Sequence, residues 1–192
     1  RRKLGVGNND RIVLFFGFIR KYKGLDILLD TMKILKDKAA LQKIPAIKLL
    51  VAGEFYEDAQ PYLQQIKDND IEDIIILRTD FVPDNEVKYY LCAADVVIQP
   101  YRNATQSGVT PLAYHYETPM IVTNVGGLTA MVPDGKAGLV AEPDATSLAE
   151  KIMQFYETGA AHFIPGLQEE KKKYSWDNMV KAIEGLSENL KM

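Results

Sequence analysis

The strongest constraint on this chain is an alternation of two apolar patterns. Short unbroken apolar runs recur along it: Ile12-Val13-Leu14-Phe15-Phe16, Ile47-Lys48-Leu49-Leu50-Val51-Ala52, Ile74-Ile75-Ile76-Leu77, Asp95-Val96-Val97-Ile98 and Met120-Ile121-Val122-Thr123. A sixth, shorter run lies at Gly138-Leu139-Val140. A run that does not alternate with polar residues is buried on both faces, as a strand inside a parallel sheet is. Between the runs, apolar residues return at helical spacing. Leu25, Leu28, Leu29, Met32 and Leu35 form one stripe, beginning near Gly24–Asp26. Pro61 suits the first turn of a helix carrying Tyr62 and Ile66. Asp84 reads as the N-cap of a helix with Val87, Tyr90 and Leu91 inward, and Cys92 falls on the same apolar side, a core position. A further helix is expected from about Ser107 to Tyr116, and a short one after Gly126-Gly127. Asp144 caps another, with Leu148, Ile152 and Phe155 on one face. The tail from Ala160 reads as helical, with breaks at Pro165-Gly166 and Ser175-Trp176. The run Glu169-Glu170-Lys171-Lys172-Lys173 reads as a solvated helix face.

Strands alternating with helices give a doubly wound parallel α/β sheet, Rossmann-like, covered on both faces. At 192 residues this is one domain, or one with an appendage. Composition removes several functions. The 23 Lys and Arg residues against 26 Asp and Glu leave a net charge of −3, which argues against a nucleic-acid or anionic-membrane binder. Cys92 is the single cysteine, and His115 and His162 stand far apart, so there is no intrachain disulfide and no zinc motif. No apolar run approaches the roughly 18 residues of a membrane span, and no signal peptide is recognised. These features fit a cytoplasmic domain. The chain begins at Arg1 and runs almost directly into a strand, which reads as an excised piece of a longer protein.

Ligands of such sheets bind at the carboxyl ends of the strands, and three turns there hold the polar residues. After strand one, Gly17 leads into Arg20, Lys21 and Lys23 before Gly24. A glycine at the strand end, three cations and a helix start suit a phosphate or diphosphate. After strand four, Gln106-Ser107-Gly108-Val109-Thr110 brings a small-residue turn to a helix, whose N–H groups would face an anion, although Ser107 as a simple cap explains the same residues. After strand five, Asn124-Val125-Gly126-Gly127-Leu128 is the third such turn.

The chain from Ile12 to about Tyr156 resembles the C-terminal, donor-binding domain of retaining GT-B glycosyltransferases of the family 4, or group 1, type. The matching pieces are Lys23-Gly24-Leu25-Asp26, Val51-Ala52-Gly53, Asp80-Phe81-Val82-Pro83, Ala94-Asp95-Val96-Val97-Ile98-Gln99-Pro100, Thr118-Pro119-Met120-Ile121-Val122, Asn124-Val125-Gly126-Gly127-Leu128, Val132-Pro133-Asp134-Gly135 and Glu142-Pro143-Asp144. The resemblance implies sugar transfer from a nucleotide diphosphate sugar to an acceptor hydroxyl, with no metal and no cofactor. It assigns Gly17, Arg20, Lys23, Ser107, Gly108 and Val109 to the donor diphosphate. Gly53, Glu54, Phe81, Val82 and Thr110 fall to the base and ribose, and Gln106 to the sugar. The acceptor, a glycan or lipid, belongs to an absent N-terminal domain, whose whole protein can touch the inner face of a membrane peripherally. Residues 1–174 are then the nucleotide-sugar domain, and 175–192 a helix returning towards the absent half, with Tyr174 and Trp176 near the crossing.

Two departures stand out. Where the family has arginine after the first glycine, this chain has Phe18. The two family glutamates, eight residues apart, fall on Ala104 and Leu112. Two other readings therefore accompany the transferase: a catalytically degenerate nucleotide-sugar module, and an epimerase of the same architecture, which the scarcity of acidic and histidine residues in the cleft disfavours. A receiver-like domain would need acidic residues after strand one, where this chain has cations.

Overall fold

The computed structural model describes residues 1–42, 45–174 and 180. Six strands form one parallel sheet in the order β3-β2-β1-β4-β5-β6. They are β1 (Arg11–Phe16), β2 (Ile47–Ala52), β3 (Ile75–Arg78), β4 (Val96–Gln99), β5 (Met120–Thr123) and β6 (Gly138–Ala141). Connecting or following them are α1 (Leu25–Gln42), α2 (Gln60–Asp68), α3 (Asp84–Ala93), α4 (Val109–His115), α5 (Leu128–Met131), α6 (Ala145–Thr158) and α7 (Ile164–Lys171). The apolar runs form the strands. Ile12, Val13 and Leu14 of β1, Leu49, Leu50 and Val51 of β2, and Ile121 and Val122 of β5 are all fully buried, whereas Ile75, Ile76 and Leu77 of β3, at the sheet edge, are only partly buried and not covered on both faces as their run suggests. At about 1.5–3 kcal/mol per large aliphatic side chain removed from water, this slab holds the two helical layers to the sheet.

Several local expectations are met and several are corrected. Leu25, Leu28, Leu29, Met32 and Leu35 face the core, as do Leu148, Ile152 and Phe155. Asp144 does cap α6, accepting from the Ser147 N–H at 2.9 Å. Asp84, however, is the first residue of α3 and Pro83 stands at the cap. Cys92 is exposed, not core: with Tyr90 and Leu91 turned inward, the next residue is carried about 100° round the helix to solvent. Pro165-Gly166 is no break. Pro165 sits in the first turn of α7, where a missing N–H costs nothing, and Gly166 lets the helix approach the Lys136 carbonyl, 2.0 Å from where a Cβ would stand. Nor is the charged run all solvated, because the Glu170 side chain is buried between Lys136 and Lys173. That pairing holds its carboxyl below the usual range. The break expected at Ser175-Trp176 and the helix expected over 175–192 lie outside the described residues, apart from Val180.

The sheet register positions the site. β1 pairs with β2 along its whole length, from Arg11 opposite Ile47 to Phe16 opposite Ala52. Its pairing with β4 covers only Val13 and Leu14 against Val96 and Val97. The connections leave these two strands in opposite directions, and a crevice opens between their carboxyl ends.

Candidate functional site: a two-lobed cleft at the switch point

Two pockets occupy this crevice and share Phe16, Gly17, Phe18 and Leu112 as a common wall. The first, of about 200 Å³, is bounded by Gly53, Glu54, Phe81, Val82, Asp84 and Val87. The second, of about 260 Å³, is bounded by Tyr22, Lys23, Tyr101, Gln106, Ser107, Gly108 and Val109. The residues expected at a base line one lobe, and most of those expected at a diphosphate line the other.

Backbone approaches build the first lobe. Beyond their strands the β1 and β2 segments stay paired: Gly17 N–H donates to the Ala52 carbonyl at 2.8 Å, Ile19 N–H to Glu54 at 2.8 Å and Tyr56 N–H to Ile19 at 3.0 Å. Gly53, at φ +133°, passes so close that a Cβ there would lie 2.4 Å from the Gly17 carbonyl oxygen. Ile19 is buried by this pairing while Phe18 turns outward, edge-on to Tyr56 at 4.6 Å. Phe81 reaches the lobe from the β3–α3 turn, 63% exposed. Phe16, Phe18, Phe81, Val82, Val87 and Leu112 give an apolar slot edged by two carboxylates, Glu54 and Asp84.

The second lobe is made by clamping the loop after β1 to the loop after β4. Lys21–Lys23 form a single 3₁₀ turn that ends on Gly24 at φ +68°. A Cβ on Gly24 would lie 2.0 Å from the Pro100 carbonyl oxygen, so only glycine fits there. Arg102 N–H donates to the Tyr22 carbonyl at 2.7 Å, and the Arg102 guanidinium grips Asp26 through two bonds of 2.6 and 2.8 Å. Lys23 is held half-buried at the joint, its Nζ 5.7 Å from the centre of the Tyr101 ring. No carboxylate among the described residues pairs with it. Burial, and secondarily the Arg20 charge, lower its pKa to about 8. Tyr101 is itself buried and pushed up to about 12 by that burial; its hydroxyl lies 3.2 Å from Ser107 Oγ.

Some expected residues stand elsewhere. Thr110 is fully buried, its hydroxyl bonded to the Gln99 amide, and it lines neither lobe. The Val109 N–H already donates to Ser107 Oγ at 3.2 Å, so that N–H is engaged within the turn; Gly108, not Ser107, stands at the N-cap of α4. Arg20 borders neither lobe; its guanidinium stacks 4.4 Å over Tyr56, near enough to be felt at Lys23. The turn Asn124–Leu128 lines neither lobe and buttresses the loop after β4. Gly127 N–H donates to the Ala104 carbonyl at 3.0 Å, and a Cβ on Gly126 would lie 1.8 Å from that oxygen. Ala104 is buried, while Leu112 stands in the wall between the lobes. His115 is exposed at the end of α4 and touches neither lobe. Asp84 and Tyr22 are cleft residues that sequence reading missed. Among the described residues no group of three or more His, Cys, Asp or Glu is placed to hold a metal ion, and no helix is long and apolar enough to cross a membrane.

Comparison with known proteins bears on the family and the fold. Residues 10–158 match the family described as Glycosyl transferases group 1. A D-inositol 3-phosphate glycosyltransferase of Acidothermus cellulolyticus is 27% identical over 97% of this chain and 42% of its own length. The enzyme of the same name from Mycolicibacterium smegmatis is 30% identical over 95% of this chain and 41% of its own. The chain thus spans less than half the length of these relatives. Among solved structures, sucrose-phosphate synthase from Thermosynechococcus elongatus superposes with a TM-score of 0.81 at 21% identity, over 99% of this chain and 48% of that one. Anabaena Alr3699/HepE in complex with UDP also gives 0.81, at 20% identity, over 100% of this chain and 51% of that one. By the family match over most of its length, carried on a Rossmann-like sheet of GT-B type, this chain belongs to the group 1 glycosyl transferases.

Proposed function

We propose that this chain is the donor-binding half of a retaining glycosyltransferase, and that the two lobes hold one nucleotide diphosphate sugar. The observation that carries the reading is the pairing of an apolar slot with a second lobe containing Lys23, a half-buried cation without a carboxylate partner among the described residues. The base lies against Phe81 and Val82, with Gly53 and Glu54 as the opposite wall. The ribose crosses Gly17 and Leu112, with Glu54 as the acceptor for its hydroxyls. The diphosphate meets Lys23, with Arg20 adding long-range charge and the Gly108 side open to its oxygens. Gln106 faces the sugar. When the bond from the anomeric carbon to the phosphate oxygen breaks, negative charge builds on the diphosphate, and a fixed ammonium stabilises it without a metal. Anabaena Alr3699/HepE has been solved with UDP and with UDP-glucose, so UDP is the first nucleotide to test.

The acceptor hydroxyl, on a glycan or lipid, is brought by the other half of the whole protein, which works at the cytoplasmic side. The chain alone should therefore bind donor and transfer nothing. Calorimetry with UDP, GDP and ADP tests the binding; robust turnover by the purified chain would contradict the division of labour. The buried Ala104 and the apolar Leu112 give weight to a second reading, a nucleotide-sugar module without catalysis, which transfer by the whole protein would refute.

A further inference from the structure

Lys3, Lys33, Lys36, Lys48, Lys136, Lys171 and Lys173 are each paired with a carboxylate. Lys23 has an aromatic ring and a neighbouring cation instead, and it borders an open lobe of about 260 Å³. Its Nζ reaches across that lobe to within 3.3 Å of where a Cβ on Gly17 would stand. A partly desolvated amine without an anionic partner is a nucleophile, and this one stands where a phosphate group is expected to dock.

We propose that Lys23 is a self-acylation site for acyl phosphates, and that acylation there shuts the donor site. The inference rests on the reading of the second lobe as a phosphate site. The phosphate of the reagent enters beside Gln106 and Ser107, within range of the Arg20 charge, and its acyl carbon is delivered to Nζ. The amine lone pair forms the C–N bond of an amide. The acyl C–O bond breaks, its electron pair leaves on inorganic phosphate, and the surplus amine proton passes to water. The groups facing Nζ are Arg20, whose charge favours the neutral amine, and the aromatic side chains of Tyr22 and Tyr101 that border the same lobe. Near pH 8 about half of Lys23 is neutral amine, against well under one in a hundred for an ordinary lysine. The product has lost the ammonium and fills the lobe with an acyl group, so donor affinity falls.

The test is acetyl phosphate at pH 8 on the full chain, with site occupancy read by mass spectrometry after cleavage that does not depend on lysine. Lys21, two residues away and exposed, is the internal reference. Lys23 is expected to acylate roughly tenfold faster than Lys21, because lower basicity takes back part of the advantage in neutral fraction. Saturating UDP should suppress Lys23 and leave Lys21 unchanged, and the acylated protein should bind UDP at least about tenfold more weakly. In the variant Lys23→Arg the same acetyl phosphate treatment should leave no acyl group at this position, and the treated variant should bind UDP no more weakly than the untreated variant. If UDP binds the untreated chain but Lys23 reacts no faster than Lys21, the inference is overturned and the donor reading stands. If UDP does not bind the untreated chain at all, the donor reading fails, and the inference fails with it.

Discussion

The turn after β1 and the turn after β5 are built from similar letters, a strand followed by glycine and a helix, yet they do different work. At Gly17–Gly24 the glycines let two loops lie side by side, and a lysine is left in the space between them. At Gly126-Gly127 the glycines are pressed onto the backbone of Ala104 and Thr105, and the turn lines neither lobe of the cleft. The second turn supports the first site at one remove, by fixing the loop that carries Gln106, Ser107 and Gly108. A glycine-rich strand end therefore marks a close approach, and only what approaches decides whether it is a site.

The largest effect that would sharpen this contrast is expected at the buttress. Gly126→Ala places a Cβ 1.8 Å from the Ala104 oxygen at φ +50°. The substitution should destabilise the fold by about 3 kcal/mol or more, seen as a lowered midpoint in denaturant. Wild-type stability would show that the turn has slack and is no buttress. Lys23→Ala comes next and should act on binding instead. A loss of about 1.5–3 kcal/mol of UDP affinity is expected, the size of a charge-assisted hydrogen bond, with the denaturation midpoint unchanged. Arg20→Ala, at a longer range and over Tyr56, should cost less.

Gly108→Val separates space from fold in the same loop. Nothing lies within 4 Å of an added Cβ there, so stability should hold while a branched side chain blocks the phosphate lobe. Calorimetry showing unchanged UDP affinity would move the phosphate elsewhere.

The pH dependence is smaller and has two signs. An anion favours charged Lys23, so UDP affinity should decline as pH rises through about 8. Stability should move the other way. The unfolded lysine, near 10.5, holds more protons than the folded one between about 8 and 10.5, so the Lys23 contribution to stability rises across that window. Parallel binding and denaturation series on wild type and Lys23→Ala would isolate both slopes. Identical slopes in the variant would mean that another group titrates.

Much of the scaffold was legible because its strands are uninterrupted apolar runs, and burial leaves little choice for a sequence like Ile12–Phe16. The two loops that border the second lobe were also legible as candidates, through glycine and cations after strand ends. The failures share a cause: they concern what a residue meets after folding. Thr110 looks like a cleft hydroxyl until Gln99 is seen to lie against it. Val109 looks like a free donor until the Ser107 hydroxyl is found on it. Glu170 sits in a run of charges that reads as solvent-exposed, yet Lys136 arrives from a distant loop and buries it. Asp84 escaped notice as a cleft residue because helix starts commonly hold acids for local reasons.

The most direct test of the two-lobed donor site is a crystal structure of the chain with UDP-glucose bound. The base should lie against Phe81 and Val82, a diphosphate oxygen within hydrogen-bond reach of Lys23 Nζ, and Gln106 beside the sugar. A ligand seated outside the cleft, or one with every atom more than about 6 Å from the loop Thr105–Gly108, beyond direct or single-water contact, would contradict it.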